Sequence, residues 1–520
     1  MSEQLALLPG FLTAHLQLSL VALALGTLIS VPLGILVTRR REFEPGVLGA
    51  ASVIQTIPSL ALLAIMVPTL AAIGAVSSRV FGIEIRSIGY LPAIAALTLY
   101  SVLPILRNTV AGIEGVDPAL VEAARGVGMT PSQRLRRVEL PLALPVIVAG
   151  LRTATVWVVG TATLSTPVGA TSLGNFIFSG LQTRNFSAVL VGCIASAALA
   201  IVLDQTIRLL EVGLRERRRG RILAAATVLL LLATWTAGSF ARTWLSSGRA
   251  PLAIGAKTFT EQYVLSEILG QWIEARTGRD SETLSSLGST VAFDALRTDE
   301  IDLYVDYSGT IWATIMKRTE LPKRRHEVLD AVRSYLADEH GIALVAALGF
   351  ENTYALGMDA GRARKFELTR ISDLRRVASN LSIGGDFEFF ARAEWKALER
   401  VYGLVFREQR MMDASLMYAA VEAGDVDVIS AYSTDGRIAS LGLVLLEDDR
   451  GVIPPYDAIV LASPRLAREE PDVIAALREL SGAIDAPRMQ QLNHAVDGGG
   501  RSPREAAAGF LADRAAVSGP

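Results

Sequence analysis

The stretch VEAARGVGMTPSQRLRRVELPLALP, residues 121–145, decides the fold of the first half of the chain. It carries two acids, four arginines and three prolines, yet long apolar runs flank it. Locally it reads as an elbow. Asp117 is an N-cap with Pro118 at the first helical position, where a missing N–H does no harm. A short helix over 117–128 follows, with the small residues Ala123 and Ala124 on its surface. Gly126 and Gly128 end it, Gly128 as a left-handed cap. Thr130 and Pro131 start the next helix, and VELPLALP leads back into an apolar run. A mere solvated connector needs neither this length nor so patterned a re-entry. Small residues let a partner's groove approach closely, while Glu122 and Arg125 are placed to pair across the contact.

Around the elbow lie six apolar runs, at about 12–37, 47–72, 91–112, 141–163, 187–210 and 222–241. Each is near the ~20 residues that cross a bilayer as a helix. The first is too long for a cleaved signal peptide, and no small-residue cleavage site follows it. Arginine sets the orientation: Arg39, Arg40 and Arg41 follow span one, Arg125, Arg134, Arg136 and Arg137 lie between spans three and four, and Arg215, Arg217, Arg218, Arg219 and Arg221 between spans five and six. These loops share one side, which the positive-inside rule makes cytoplasmic. Both termini then face outward across a cytoplasmic (inner) membrane. Within span four, Arg152 should face the bundle or a cavity, as a snorkelling or paired structural arginine. Pro104, Pro141 and Pro145 imply kinks or helix starts. The stretch 164–180, LSTPVGATSLGNFIFSG, reads either as a re-entrant segment or as a loop packed on the bundle.

The whole chain has 520 residues, 51% of them hydrophobic, and a mean hydropathy of +0.38. That average hides a division: residues 1–245 read as a membrane domain and 250–520 as a water-facing one. A net charge of −2 without a basic stripe argues against a nucleic-acid partner. The single Cys193 permits no disulfide framework within one chain, and His15, His326, His340 and His494 lack metal-ligand spacing. No phosphate-cradling GxxxxGK[ST] occurs, so ATP hydrolysis is not expected on this chain. No nucleophile–base pair, metal site or cofactor site is apparent. A ligand-sensing receptor would need an output domain, for which the short inner loops leave no room.

The spacing Glu-Ala-Ala, three residues, Gly, nine residues, an aliphatic residue, one residue, Leu-Pro resembles the signature loop of ABC importer membrane subunits. Glu122-Ala123-Ala124, Gly128, Val138 and Leu140-Pro141 fit it at every spacing. The resemblance covers about 15–215. It implies that 117–140 is a coupling loop docking on a nucleotide-binding ATPase supplied in trans, that two copies form one pore as a homodimer, and that span six is an added tether.

The second half alternates strands and helices, which implies α/β layers. LAIGAK, IDLYVDY and IALVAAL read as strands of one set. LSIGG and DVISAY follow in a second, with helices at 389–402 and 415–424, and LVLLED and YDAIVLAS lead back to the terminal helices. The expected lobes are 252–354 with 456–520, and 355–455, crossing near 354–358 and 450–456 around a cleft that closes by hinge motion. The motifs GAKTFTEQ, VDYSGT, ENTYAL, GGDFEFFAR, AYSTDG and PPYDAIVL resemble substrate-binding proteins of osmoprotectant (glycine betaine, carnitine, choline) ABC importers, and similar ergothioneine-type fusions. The resemblance implies that Tyr307, Tyr354, Tyr432 and Tyr456 cage a quaternary ammonium. It also implies that Lys257, Thr310 and Arg392 hold a carboxylate. Gln262 and Asn352 are candidates for further polar contacts; Phe387, Phe389 and Phe390 are either wall or core. The chemistry fits such a ligand. A trimethylammonium has no N–H to donate, so aromatic faces must read it, whereas a carboxylate suits a guanidinium fork.

The orientation is testable in a Cys193→Ser background. Single cysteines placed in 126–136 should resist a membrane-impermeant thiol reagent in intact cells and react after permeabilisation. Labelling from outside would reverse the topology.

Overall fold

A computed structural model describes residues 2–82, 85–183, 185–245, 250–318 and 324–517. The chain packs as two units, residues 1–177 with 187–249, and 250–520 with 178–186. The expected boundary near 246–249 lies outside the described residues.

The first unit is helical. Its helices are α1 (Ser2–Arg39), α2 (Glu44–Thr56), α3 (Ser59–Phe81), α4 (Tyr90–Glu114), α5 (Pro118–Gly126), α6 (Pro131–Arg134), α7 (Leu140–Ala162), α8 (Gly174–Gln182), α9 (Phe186–Arg215) and α10 (Arg219–Leu245). Six helical stretches among the described residues are long and apolar enough to cross a membrane. The second span is displaced from the expected 47–72. The chain breaks at Ile57-Pro58, where Ile57 turns extended (ψ 129°), and the spanning helix is Ser59–Phe81. The cause is local: proline offers no N–H and pushes the residue before it out of the helical region.

The elbow forms as its local signals dictate. Asp117 accepts from the Ala119 N–H at 2.9 Å, and Gly128 adopts φ +80°, which a side chain would strain. Thr130 and Gln133 close a capping box around α6. One wider, π-helical turn over Leu135–Glu139 then runs into α7 without a break. At that turn Glu139 is buried and accepts from Arg39 at the end of α1 and from Arg134 Nε, the latter at 2.7 Å.

The stretch 164–180 is packed in its described core. Leu173 and Phe176 are buried against Leu16, Val159 and Leu203. The buried His15 ring meets the Val159 carbonyl at 3.1 Å and accepts from the Leu173 N–H at 3.3 Å, so the proton sits on Nε2. Arg152, about 18 Å along α7 from its start at 1.5 Å per residue, is paired: Nε and Nη2 donate to Asp204 on α9 at 2.6 and 3.1 Å, and Glu211 lies 3.7 Å from Nη1.

The second unit holds two five-stranded sheets. The strands are β1 (Leu252–Lys257), β2 (Ser281–Leu287), β3 (Leu303–Tyr307), β4 (Ala343–Glu351), β5 (Tyr354–Asp359), β6 (Ser382–Gly385), β7 (Glu408–Met411), β8 (Val428–Tyr432), β9 (Leu443–Leu446) and β10 (Asp457–Ala462). The sheet orders are β2-β1-β3-β10-β4 and β7-β6-β8-β5-β9. In each, one strand runs against its neighbours: β10 is antiparallel to β3 and β4, and β5 to β8 and β9. The chain passes between sheets at 352–353 and 447–456. The first passage precedes the expected 354–358, because Tyr354 already pairs with Tyr432 as the first residue of β5. The expected helix 389–402 is two helices meeting at Arg392.

Asp204→Leu, which leaves Arg152 without its fork partner, should destabilise the membrane unit by about 1–3 kcal/mol. Adding Arg152→Met should recover most of that loss, read by thermal unfolding in lipid nanodiscs. Additive losses would deny the pairing.

Candidate functional site

The two reversed strands bring the site together. Because β5 and β10 run against their neighbours, their beginnings lie beside the ends of β8 and β3. Tyr354 opens β5 opposite Tyr432 at the end of β8, and Tyr456 precedes β10, whose Ala458 pairs with Tyr307. The four expected tyrosines therefore meet where the chain passes between sheets. Tyr354 lies 5.2 Å from Tyr432 and 6.0 Å from Tyr456, ring centroid to centroid. Tyr307 joins through a residue the motif reading left unassigned: Phe259 stacks on Tyr432 at 5.5 Å and on Tyr307 at 6.1 Å. Gly309 lies against the Tyr456 ring so closely that a Cβ there would sit 2.6 Å from it.

The polar candidates are placed more variously. Lys257 Nζ is buried, 2.5 Å from Asp306 and 5.6 Å from the Tyr307 ring centroid. Arg392 is not one turn into a helix but caps α13 (Ala393–Tyr402) just after α12 (Phe387–Ala391), with extended backbone that turns its side chain inward. It is buried over Tyr354, 5.1 Å from the ring centroid, and donates to Tyr456 Oη at 3.1 Å and Glu388 at 2.5 Å. Thr310 is buried in the turn after Tyr307, and no described contact joins its side chain to the rings. Gln262 and Asn352 brace the site from behind. Gln262 Nε2 donates to Tyr307 Oη at 3.0 Å, and Asn352 Nδ2 donates to Glu261 at 2.9 Å. Phe389 packs on Tyr354 at 5.1 Å; Phe390 packs on Trp395 at 5.2 Å and belongs to the core. The Phe387 side chain lies outside the described ones.

A set of acids completes the site. Glu261, near the start of α11 (Thr260–Thr277), is buried and accepts four donors: Tyr307 Oη (2.5 Å), Asn352, Thr434 Oγ1 and Asn493 Nδ2 (3.1 Å). Burial pushes its carboxyl up, while these bonds pull it back. Asp386 accepts from Tyr432 Oη at 3.0 Å and the Phe389 N–H at 2.7 Å; burial again pushes the carboxyl up. Glu394 accepts from Tyr456 Oη at 2.5 Å. Burial acts upward on Glu388 too, but Arg392 and Lys257 hold it below the usual range. These acids sit inside or beside quoted motifs (Glu261 in GAKTFTEQ, Asp386 in GGDFEFFAR), but only the fold shows that they converge.

The cavity bordering Phe259, Tyr432, Asn352 and Arg437 measures about 20 Å³, room for a single water.

A membrane bundle with this elbow, joined to a two-sheet binding domain with an aromatic site at the sheet crossing, defines a transporter's membrane component that carries its own substrate-binding domain. Residues 250–513 match the family described as the substrate binding domain of ABC-type glycine betaine transport systems. Residues 30–216 match the inner membrane component of binding-protein-dependent transport systems. The chain is 30% identical to the ergothioneine transport permease/ergothioneine binding protein EgtU of Helicobacter pylori (strain G27), over 88% of this chain and 81% of that one. It is 43% identical to the choline transport system permease protein OpuBB of Bacillus subtilis (strain 168), over 38% of this chain and 83% of that one. It is 32% identical to the carnitine transport binding protein OpuCC of Listeria monocytogenes, over 56% of this chain and 96% of that one. The chain belongs to the glycine betaine-type ABC importers, as a permease fused to its binding domain.

Glu261→Leu strands four donors that Glu261 now satisfies and should cost the binding domain about 3–5 kcal/mol. Glu261→Gln, which keeps one acceptor, should cost less. Denaturant melts of the full chain in nanodiscs read both; a loss below about 1 kcal/mol for the leucine variant would remove Glu261 from this role.

Proposed function

We propose that this chain captures a quaternary-ammonium osmoprotectant, such as glycine betaine, carnitine or choline, outside the membrane and passes it inward. ATP hydrolysis on a separate nucleotide-binding subunit drives the step. The observation that carries the reading is the convergence of Tyr307, Tyr354, Tyr432 and Tyr456 from four strand ends, with Phe259 between them. Aromatic faces attract a quaternary cation by about 0.5–2 kcal/mol each, depending on how fully it is desolvated. Lys257, Thr310 and Arg392 hold the ligand's carboxylate, with Gln262 and Asn352 supporting the site.

Coupling runs through the elbow. Glu122, Ala123 and Gly128 are exposed, as are the apolar Leu120 and Val127, which is the character of a docking face; Ala124 seats α5 on its own unit. A groove of about 710 Å³ lined by Val31, Ile105, Leu144, Ile147 and Leu151 supports a path completed by a second copy, as a homodimer. The arginine-rich loops put the binding domain outside. Ergothioneine uptake is the second reading, favoured by the relative that matches across both halves of the chain.

Calorimetry of the full chain in nanodiscs against glycine betaine, carnitine, choline and ergothioneine tests both readings. Tyr354→Leu should weaken each quaternary ligand that binds by about 1–2 kcal/mol and affect a primary-amine analogue less. Tight binding of ergothioneine alone would select the second reading. Binding of none of the four would reject the site.

A further inference from the structure

Three phenols of the cage are tied to acids. Tyr307 donates to Glu261 at 2.5 Å, Tyr432 to Asp386 at 3.0 Å and Tyr456 to Glu394 at 2.5 Å. Tyr354 packs its ring against that of Tyr432 at 5.2 Å. Each acid comes from a different element: Glu261 from α11, Asp386 from the cap of α12, Glu394 from the first turn of α13. One hydroxyl on one carboxylate is ordinary packing. Three carboxylates behind three rings of one cage are a shared electrostatic environment.

The local charges do not cancel. Lys257 is matched by Asp306 at 2.5 Å and Arg392 by Glu388 at 2.5 Å. Arg437, which borders the cavity beside Glu261, is matched by Asp435 at 2.6 Å, which leaves Glu261, Asp386 and Glu394, the three that hold cage hydroxyls, without a close cation of their own. Glu394 also lies 3.5 Å from Arg392, yet its second oxygen is buried and makes no hydrogen bond. A carboxylate under-used by its neighbours is a cost to the resting protein. It becomes an asset when a positive charge arrives in front of the ring.

We propose that Glu261, Asp386 and Glu394 form a carboxylate ring behind the cage tyrosines that selects permanently charged cations over ligands of the same shape without the charge. Two effects act together. A phenol donating to a carboxylate is polarised, so its ring face becomes more negative and holds a cation better. The carboxylate's own field reaches the cage through a water-poor interior, where charges interact more strongly than in water. Shape alone cannot separate a trimethylammonium from a tert-butyl group, since the two fill the same volume. The acids can.

The inference rests on the proposed reading of the site, and the experiment separates the two. The full chain in nanodiscs is titrated with two pairs of probes: choline against 3,3-dimethylbutan-1-ol, and glycine betaine against 3,3-dimethylbutanoate. In each pair carbon replaces the ammonium nitrogen. Asp386→Asn and Glu394→Gln keep size and one acceptor oxygen but remove the charge, and each acts on a different ring. Either variant should weaken the cationic or zwitterionic member by about ten-fold, the order expected of one charge at partly screened range. The alcohol should hold within about two-fold and the carboxylate isostere should gain, because a like charge has gone. Equal losses for both members of a pair would mean that the acids only support the fold. Unchanged affinities for all four probes would mean that they are electrostatically idle. Either result overturns the carboxylate ring while leaving the cage in place. Failure of the unaltered protein to bind choline and glycine betaine would instead reject the reading of the site itself.

Discussion

A single buried carboxylate holds the binding domain in register. Glu261 cannot stay in its apolar surroundings without donors, and it draws them from four places: the end of β3, the first passage between sheets, the turn after β8, and the helix Ala486–Asp497. Removing water from an unpaired carboxylate costs several kcal/mol, so these four segments are fixed relative to one another as the price of burying it. Two of the segments belong to the first sheet or the passage next to it. Thr434 lies beyond the second sheet's β8, and its carbonyl also accepts from Asn493 Nδ2 at 2.8 Å.

The reversed strands explain why the site sits where it does. In a purely parallel sheet all strand ends on one side point the same way, and a passage to a second sheet leaves from that edge. Here β5 and β10 each arrive from the other sheet and enter antiparallel. Their first residues therefore lie beside the last residues of β8 and β3. Tyr354 and Tyr456 are anchored at starts, Tyr432 and Tyr307 at ends, and all four face the passage. An aromatic placed there can be carried by either sheet.

What the sequence made legible follows the range of the forces involved. The elbow was readable because its determinants are local: Asp117, Pro118, Gly128 and Thr130 act within a few residues of themselves. The tyrosines were readable as motif positions at strand ends. The break at Pro58 was missed because hydropathy does not see a missing N–H inside an apolar run. β2 and β7 were missed because they are edge strands, SETLSSL and EQRM, that carry polar residues and no clean alternation. Arg392 was misplaced by a helical pattern that runs through a break made by the Asp386 cap and the extended backbone at Arg392 itself. The acids around the cage were invisible as a group, since Glu261, Asp386 and Glu394 are far apart in sequence and meet only through the fold.

The membrane unit uses buried charge in a different way. Glu139 is held by Arg134 from the elbow side and by Arg39 from the end of α1, just where the wide turn joins α6 to α7. Farther along α7, Arg152 is forked onto Asp204 of α9. The helix that leaves the elbow is thus tied to two neighbours at two depths by charges that cannot separate cheaply in a low-dielectric surrounding. From Thr130 a capping box and a continuous helical path lead into α7, which together with α1 borders the apolar groove at Val31 and Leu151.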